Sequence, residues 1–182
     1  MCRSCRSTSP HYDRGFSLVA YQDAVKAIFR QIKFRNKPWL LNIFITHLQR
    51  LANSGRLGHY DVVVPIPGDP KRDRKREFNQ AFVIAHMLKR LRHTERIVVK
   101  NVLVKKRSTL PQSGLGRRDR LKNLSGAFAT KARVTLRGKK VLLVDDIVTT
   151  GSTMNECAKL LKSQGARQVD FLTLARAGLP RR

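Results

Sequence analysis

Val141-Leu-Leu-Val-Asp-Asp-Ile-Val-Thr-Thr-Gly-Ser-Thr153 sets an aliphatic run against two adjacent carboxylates and a hydroxyl-rich glycine turn. Val141 to Val144 show no polar–apolar alternation, which predicts a strand covered on both faces of a parallel sheet. Asp145 and Asp146 follow at the carboxyl end of that strand, where open α/β sheets bind their ligands. Two carboxylates there can accept hydrogen bonds from vicinal hydroxyls or help to hold Mg²⁺. Thr149, Thr150, Gly151, Ser152 and Thr153 add hydroxyls and closely spaced N–H groups, and Gly151 can take conformations that a side chain forbids. Thr153-Met-Asn-Glu156 reads as a capping box, so the spacing predicts a helix from Met154 to Gln164. The N-terminus of such a helix turns free N–H groups toward an anion. Paired aspartates alone are often a solvated turn, and the hydroxyl run alone an ordinary helix start. Taken in this order, carboxylates beside a phosphate cradle describe a site for ribose 5-phosphate.

Outward from this stretch, strands and helices alternate. Asp61-Val-Val-Val-Pro-Ile-Pro67 reads as a second buried strand ending in a proline-stiffened loop. Phe78, Ala81, Phe82, Ala85, Leu88 and Leu91 fall at helical spacing, Ile97 to Val104 is valine-rich and strand-like, and Val169 to Ala175 returns as a further strand. The alternation implies βαβ units, an α/β fold with a parallel sheet flanked by helices. Ahead of it, Tyr21 to Phe34 and Pro38 to Leu51 carry helical apolar stripes, the second with Leu40, Leu41, Phe44, Ile45 and Leu48 as its buried face. They predict a small N-terminal helical cap over 17–58, with the core over 59–182.

The charge is lopsided: 38 Lys and Arg against 12 Asp and Glu, a formal net charge of +26. Solubility alone asks for roughly 2–8 charges in a small domain, so the excess points to a polyanionic partner, nucleic acid first. A phosphate-rich small substrate or a basic proteome would also favour this sign. The excess is spread along the chain, with 10 basic and 2 acidic groups in residues 1–60, 17 and 6 in 61–126, and 11 and 4 in 127–182. A spread this even argues against a discrete basic tail, and folding can still gather the charge into a groove. Lys75, Arg76, Arg117, Arg118, Arg120 and Lys122 are the candidate contacts for DNA. Aromatic residues make up only 7% of the chain, and Phe82 and Phe128 read as buried. The expectation is thus sequence-independent binding through the nucleic-acid backbone. No apolar run approaches the ~18 residues of a membrane span, and the N-terminus lacks the apolar core of a signal peptide. Both point to a cytoplasmic protein. Cys157 falls on the apolar face of its helix and reads as a small core residue. Cys2 and Cys5 form one CxxC, half of a structural zinc site. His11 could be a third ligand, and nothing nearby offers a fourth.

The stretch 141–153 resembles the 5-phosphoribosyl-1-pyrophosphate (PRPP) motif of type I phosphoribosyltransferases. Lys71-Arg-Asp-Arg-Lys-Arg-Glu-Phe-Asn-Gln-Ala81, Pro111-Gln-Ser-Gly-Leu115, Arg117-Arg-Asp-Arg-Leu-Lys-Asn123 and Gly126-Ala-Phe128 together resemble the ComF (ComFC-like) branch, which is linked to DNA uptake in natural transformation. Glu77 stands where that branch usually has glycine. The resemblance, over residues 18–178, implies that Asp145 and Asp146 contact ribose hydroxyls and Mg²⁺, and that Thr149 to Thr153 bind the 5-phosphate. It further implies that the Pro65–Lys71 loop binds pyrophosphate, with Lys71 and Arg72 as candidates, and that a mobile loop at about 105–119 closes over the site. Lys105, Lys106 and Arg107 lie at its root, where a solvated charge run is an equal reading. Many members carry an N-terminal zinc module with two cysteine pairs. Residues 1–16 hold one, so either the start lies too late or the finger has decayed. The resemblance implies a PRPP-binding protein handling incoming single-stranded DNA, beside a helicase-like translocase or a recombination mediator. An active phosphoribosyltransferase of nucleobase salvage is the alternative. No residue stands out as a general base.

Overall fold

Two adjacent strands organise the molecule. In the computed structural model, which describes residues 10–69, 78–91, 97–107, 124 and 126–178, they are β2 (Val62–Pro65) and β6 (Lys140–Val148). They belong to a five-stranded, all-parallel sheet of order β1-β7-β6-β2-β3, with β1 at Gly15–Ala20, β3 at Val98–Val99 and β7 at Gln168–Arg176. A separate antiparallel pair joins β4 (Leu103–Lys105) to β5 (Phe128–Thr130). The α-helices are α1 (Asp23–Phe34), α2 (Ile45–Asn53), α3 (Gln80–Lys89) and α4 (Ser152–Ser163), and a 3₁₀ segment, Pro38–Phe44, leads into α2.

The uninterrupted aliphatic run of β6 has the predicted cause, because side chains alternate between two cores, one on each face. Val141 and Leu143 meet Met154, Cys157 and Leu161 of α4, together with Leu103 and Phe128 of the antiparallel pair. Leu142 and Val144 meet Phe29, Leu41, Phe44 and Leu48 from the N-terminal helices and Ile84 and Leu88 from α3. The helices expected as a cap over 17–58 therefore pack directly against one face of the sheet, and β1 extends its edge beside β7.

Several boundaries depart from the sequence reading. Pro38 to Leu51 is not one helix, since a 3₁₀ segment precedes α2. In 3₁₀ geometry residues i and i+3 eclipse, so Leu41 and Phe44 are buried together while Ile45, expected inside, is 37% exposed. Ile97 to Val104 divides into β3 and β4, which belong to different sheets. Helix α4 starts at Ser152 rather than Met154, with Gly151 as its N-cap. The capping box does not form, because the Glu156 carboxylate accepts from the Gly126 N–H at 3.3 Å instead. The thiol of Cys157 is fully buried, as its spacing predicted.

Candidate functional site

Leaving β2, the chain crosses through α3 to β3 on one side of the sheet. Leaving β6, it crosses through α4 to β7 on the other. The carboxyl ends of β2 and β6 thus flank a topological switch point, the crevice where such sheets bind ligands. Asp145 and Asp146 do not follow the strand, as expected, but lie within it. β7 supports β6 as far as Val148, opposite Arg176, whereas the β2 ladder ends with Pro65 opposite Val144 and the Ile66 N–H on the Val144 carbonyl. Pro65 and Pro67 have no N–H to donate. Beyond Val144 the β2 side of the strand therefore opens into a cavity.

That cavity, of about 160 Å³, is lined by Asp145, Asp146 and Thr153, by the Ile66–Asp69 loop after β2, and by Asn79, Gln80, Lys33 and Lys105. Burial, and then the like charge of Asp146, push the Asp145 carboxyl up to about 7. Its Oδ1 accepts the Asp146 N–H at 2.8 Å. Asp146, 7% exposed, holds Lys33 Nζ of α1 at 2.7 Å through Oδ2. Across the cavity, Lys105 Nζ of β4 lies 3.0 Å from Asp69 Oδ2 and 5.8 Å from the Phe128 ring centre, and this ion pair is buried. Asn79 ties the loop to α3, donating from Nδ2 to the Ile66 carbonyl at 3.0 Å while its Oδ1 accepts the Ala81 N–H at 2.9 Å. Gln80 is 8% exposed, and its Nε2 has no hydrogen-bond partner. A buried amide donor left unmatched is costly, and this one borders a cavity lined by charged groups.

Behind the carboxylates a smaller recess is lined by Thr149, Gly151, Ser152 and Thr153 at the start of α4. Gly151 has φ +79, a conformation that side chains resist. A Cβ there would come 3.2 Å from the Tyr12 hydroxyl. Thr150 Oγ1 and Ser152 Oγ are 2.8 Å apart, and the Ser152 N–H points to Thr150 Oγ1 at 3.4 Å. No acidic side chain occupies the first turn of α4. The partial positive charge of this helix start is therefore not offset by a carboxylate of its own first turn, which suits an anion.

The structure thus brings Asp145, Asp146 and Thr149 to Thr153 to one place. Lys71, Arg72, Lys75, Arg76, Arg117, Arg118, Arg120, Lys122, Cys2 and Cys5, like most of the expected loop 105–119, lie outside the described residues. Lys33, Asp69 and a role for Gln80 escaped the sequence reading. Lys33 looked like any cation on the polar face of a helix, and only the packing of α1 against the sheet carries it to Asp146. Phe82 is a correction. It is half-exposed and stacks on the exposed His86 ring, with centres 5.4 Å apart and planes 22° apart, whereas Phe128 is buried. Among the described residues no group of three or more His, Cys, Asp or Glu could hold a metal ion. Two adjacent carboxylates still suit Mg²⁺, which binds through one or two carboxylates and substrate phosphates. Among the described residues no helix is long and apolar enough to cross a membrane.

A family model of the phosphoribosyl transferase domain matches residues 83–181, from α3 through β7. The chain belongs to that family. Relatives of this phosphoribosyl transferase domain protein carry names that speak of competence and DNA utilization. It is 28% identical to Competence protein F of Haemophilus influenzae over 181 residues, 97% of this chain and 78% of that one. It is 29% identical to the DNA utilization protein YhgH of Escherichia coli strain K12, covering 96% and 77% of the two chains. It is 30% identical to the Competence protein ComFC of Bacillus subtilis over 162 residues, covering 88% and 63%. The ComF-type resemblance of the sequence is thus matched over most of the chain.

Proposed function

We propose that the cavity at the β2–β6 switch point binds PRPP, and that the protein uses this site while handling single-stranded DNA during uptake. The observation that carries the reading is the convergence of two carboxylates, a helix N-terminus with no acid in its first turn and an unpartnered buried amide on one crevice. Ribose hydroxyls donate to Asp145 and Asp146. The 5-phosphate takes the N–H groups and hydroxyls of Thr149 to Thr153 at the start of α4. The pyrophosphate end meets Lys105 and the Gln80 Nε2 donor, with Lys71 and Arg72 as further candidates. Asp145 and Asp146 would hold Mg²⁺, which when bound supplies positive charge against the departing pyrophosphate. Cys2 and Cys5 would hold Zn²⁺ only with two further ligands.

The relatives' names, Competence protein F and DNA utilization protein, support the DNA side of the reading, as does the charge of +26. Lys75, Arg76, Arg117, Arg118, Arg120 and Lys122 remain the candidate phosphate contacts. Calorimetric titration of PRPP with Mg²⁺ tests the site. Micromolar binding is expected in the native chain and none in the Asp145→Asn, Asp146→Asn double variant. Equal binding by both would refute the assignment, as would no binding by the folded native protein.

A further inference from the structure

Beside the carboxylate cavity lies a second, larger one of about 570 Å³, and Asn79 lines both. Phe78 and Phe82 form part of its wall, with His86 and Arg90 at α3 and its C-cap. The Phe82 and His86 rings are nearly parallel, and a hydrogen bond of 2.9 Å between His86 Nδ1 and the Phe82 carbonyl fixes the imidazole. The 3₁₀ segment supplies Asn42 to the same wall. Because 3₁₀ side chains eclipse every third residue, Trp39, 60% exposed, shares the face of Asn42. Aromatic planes, a cation and an open cavity next to a sugar-phosphate site form a stacking platform rather than a core defect.

We infer that this groove holds a base of single-stranded DNA, stacked against the Phe82–His86 pair with its flanking phosphates near Arg90. The inference rests on the DNA-handling reading above and deepens it. Charge favours a strand over a neutral free base. Among the described residues no acidic one lines the groove, α3 contains none, and the chain carries +26. A duplex is excluded by geometry, because its base faces are covered by their neighbours, whereas a single strand can offer them to aromatic side chains. Stacking is indifferent to base identity, so binding stays sequence-independent but no longer depends on the phosphate backbone alone.

The test compares labelled oligothymidine with an abasic strand of equal length and with a duplex, by fluorescence anisotropy at two salt concentrations. The chain's one tryptophan, Trp39, gives a second signal. The intact strand should bind about 5- to 150-fold more tightly than the abasic one for each stacked base. Phe82→Ala should erase most of that preference and leave the salt dependence unchanged, since the phosphate contacts remain. If Phe82→Ala fails to fold by circular dichroism, His86→Ala, on an exposed residue, decides. Equal affinity of the native protein for intact and abasic strands overturns the inference, as does a preference undiminished in both variants, or saturation of the groove by free thymine alone. Failure to bind any strand at low salt removes the DNA reading itself, with the PRPP titration unaffected.

Discussion

Asp145 is the residue on which the chemistry of the site turns. Its carboxyl is raised from an ordinary 3.8 to about 7 by burial and by Asp146, while the charges of Lys33 and Lys105 pull it back down. The folded state therefore holds a proton that the unfolded chain has released over the window from about 4 to 7. Stability contributed by this group is full below that window and falls as pH rises through it. Ligand binding runs the other way, because ribose hydroxyls and Mg²⁺ need the ionised form. PRPP affinity should rise with pH up to about 7 and level off above, a profile that calorimetry at pH 5.5, 6.5, 7.5 and 8.5 would reveal. Lys33→Met removes one of the two lowering charges, so the rise should move to higher pH. An unmoved profile would mean that Lys33 does not reach the carboxylates in solution. The pair itself was legible in the sequence, because the aliphatic run, Asp-Asp and the hydroxyl-rich glycine turn stand in one unbroken order. Lys33 was not, because its meeting with Asp146 spans more than a hundred residues and depends on how α1 packs.

At the scale of elements, the turn from β6 into α4 joins the carboxylates to the proposed phosphate cradle. Its hydroxyls, its glycine and the following helix could be read directly, but the helix start could not. Thr153 and Glu156 have the spacing of a capping box, and Glu156 is drawn away by the Gly126 N–H, a partner supplied by tertiary packing. Gly151 takes the N-cap in the left-handed region instead. The same limit explains the 3₁₀ segment: apolar spacing gives a helix there, and the tighter winding accompanies the burial of Leu41 and Phe44 in the apolar layer shared with the neighbouring helices. Gly151→Ala should cost about 1–2 kcal/mol for the left-handed conformation, and more if Tyr12 cannot retreat from the 3.2 Å approach. Thermal denaturation would measure that cost. PRPP affinity should fall further than stability does, because the same turn aims the N–H groups. A variant that loses stability but keeps full PRPP affinity would show that the phosphate sits elsewhere.

The whole molecule is a sheet whose two faces are sealed by different parts of the chain, so the site depends on the N-terminal segment staying docked. That docking is fastened at the opposite end of the sheet from the carboxylates. Asp170, fully buried near the start of β7, accepts from the Arg14 N–H at 3.0 Å, Arg14 Nε at 2.9 Å, the Tyr60 hydroxyl at 2.6 Å and Gln168 Nε2 at 2.8 Å. Asp13 is stitched to Val169 in both directions, through its N–H and its carboxylate. None of this was legible in the sequence, where Gly15 to Ala20 is a short mixed stretch and Asp170 a lone acid among valine and phenylalanine. The hydrogen-bonded carboxylate keeps β1 in register beside β7, and α1, which follows β1, carries Lys33 to Asp146. Asp170→Ala strands the buried Tyr60 hydroxyl and frees Arg14, at a cost of roughly 3 kcal/mol, readable as a lowered midpoint in urea denaturation. Asp170→Asn keeps an acceptor for Tyr60 and should recover part of that loss. If the N-terminal layer is held from this end, the alanine variant should also weaken PRPP binding from across the sheet, and the asparagine variant should weaken it less. Loss of stability with unchanged PRPP affinity would instead mean that Lys33 and its helix hold their place through the apolar contacts of Phe29 and Ile32 alone.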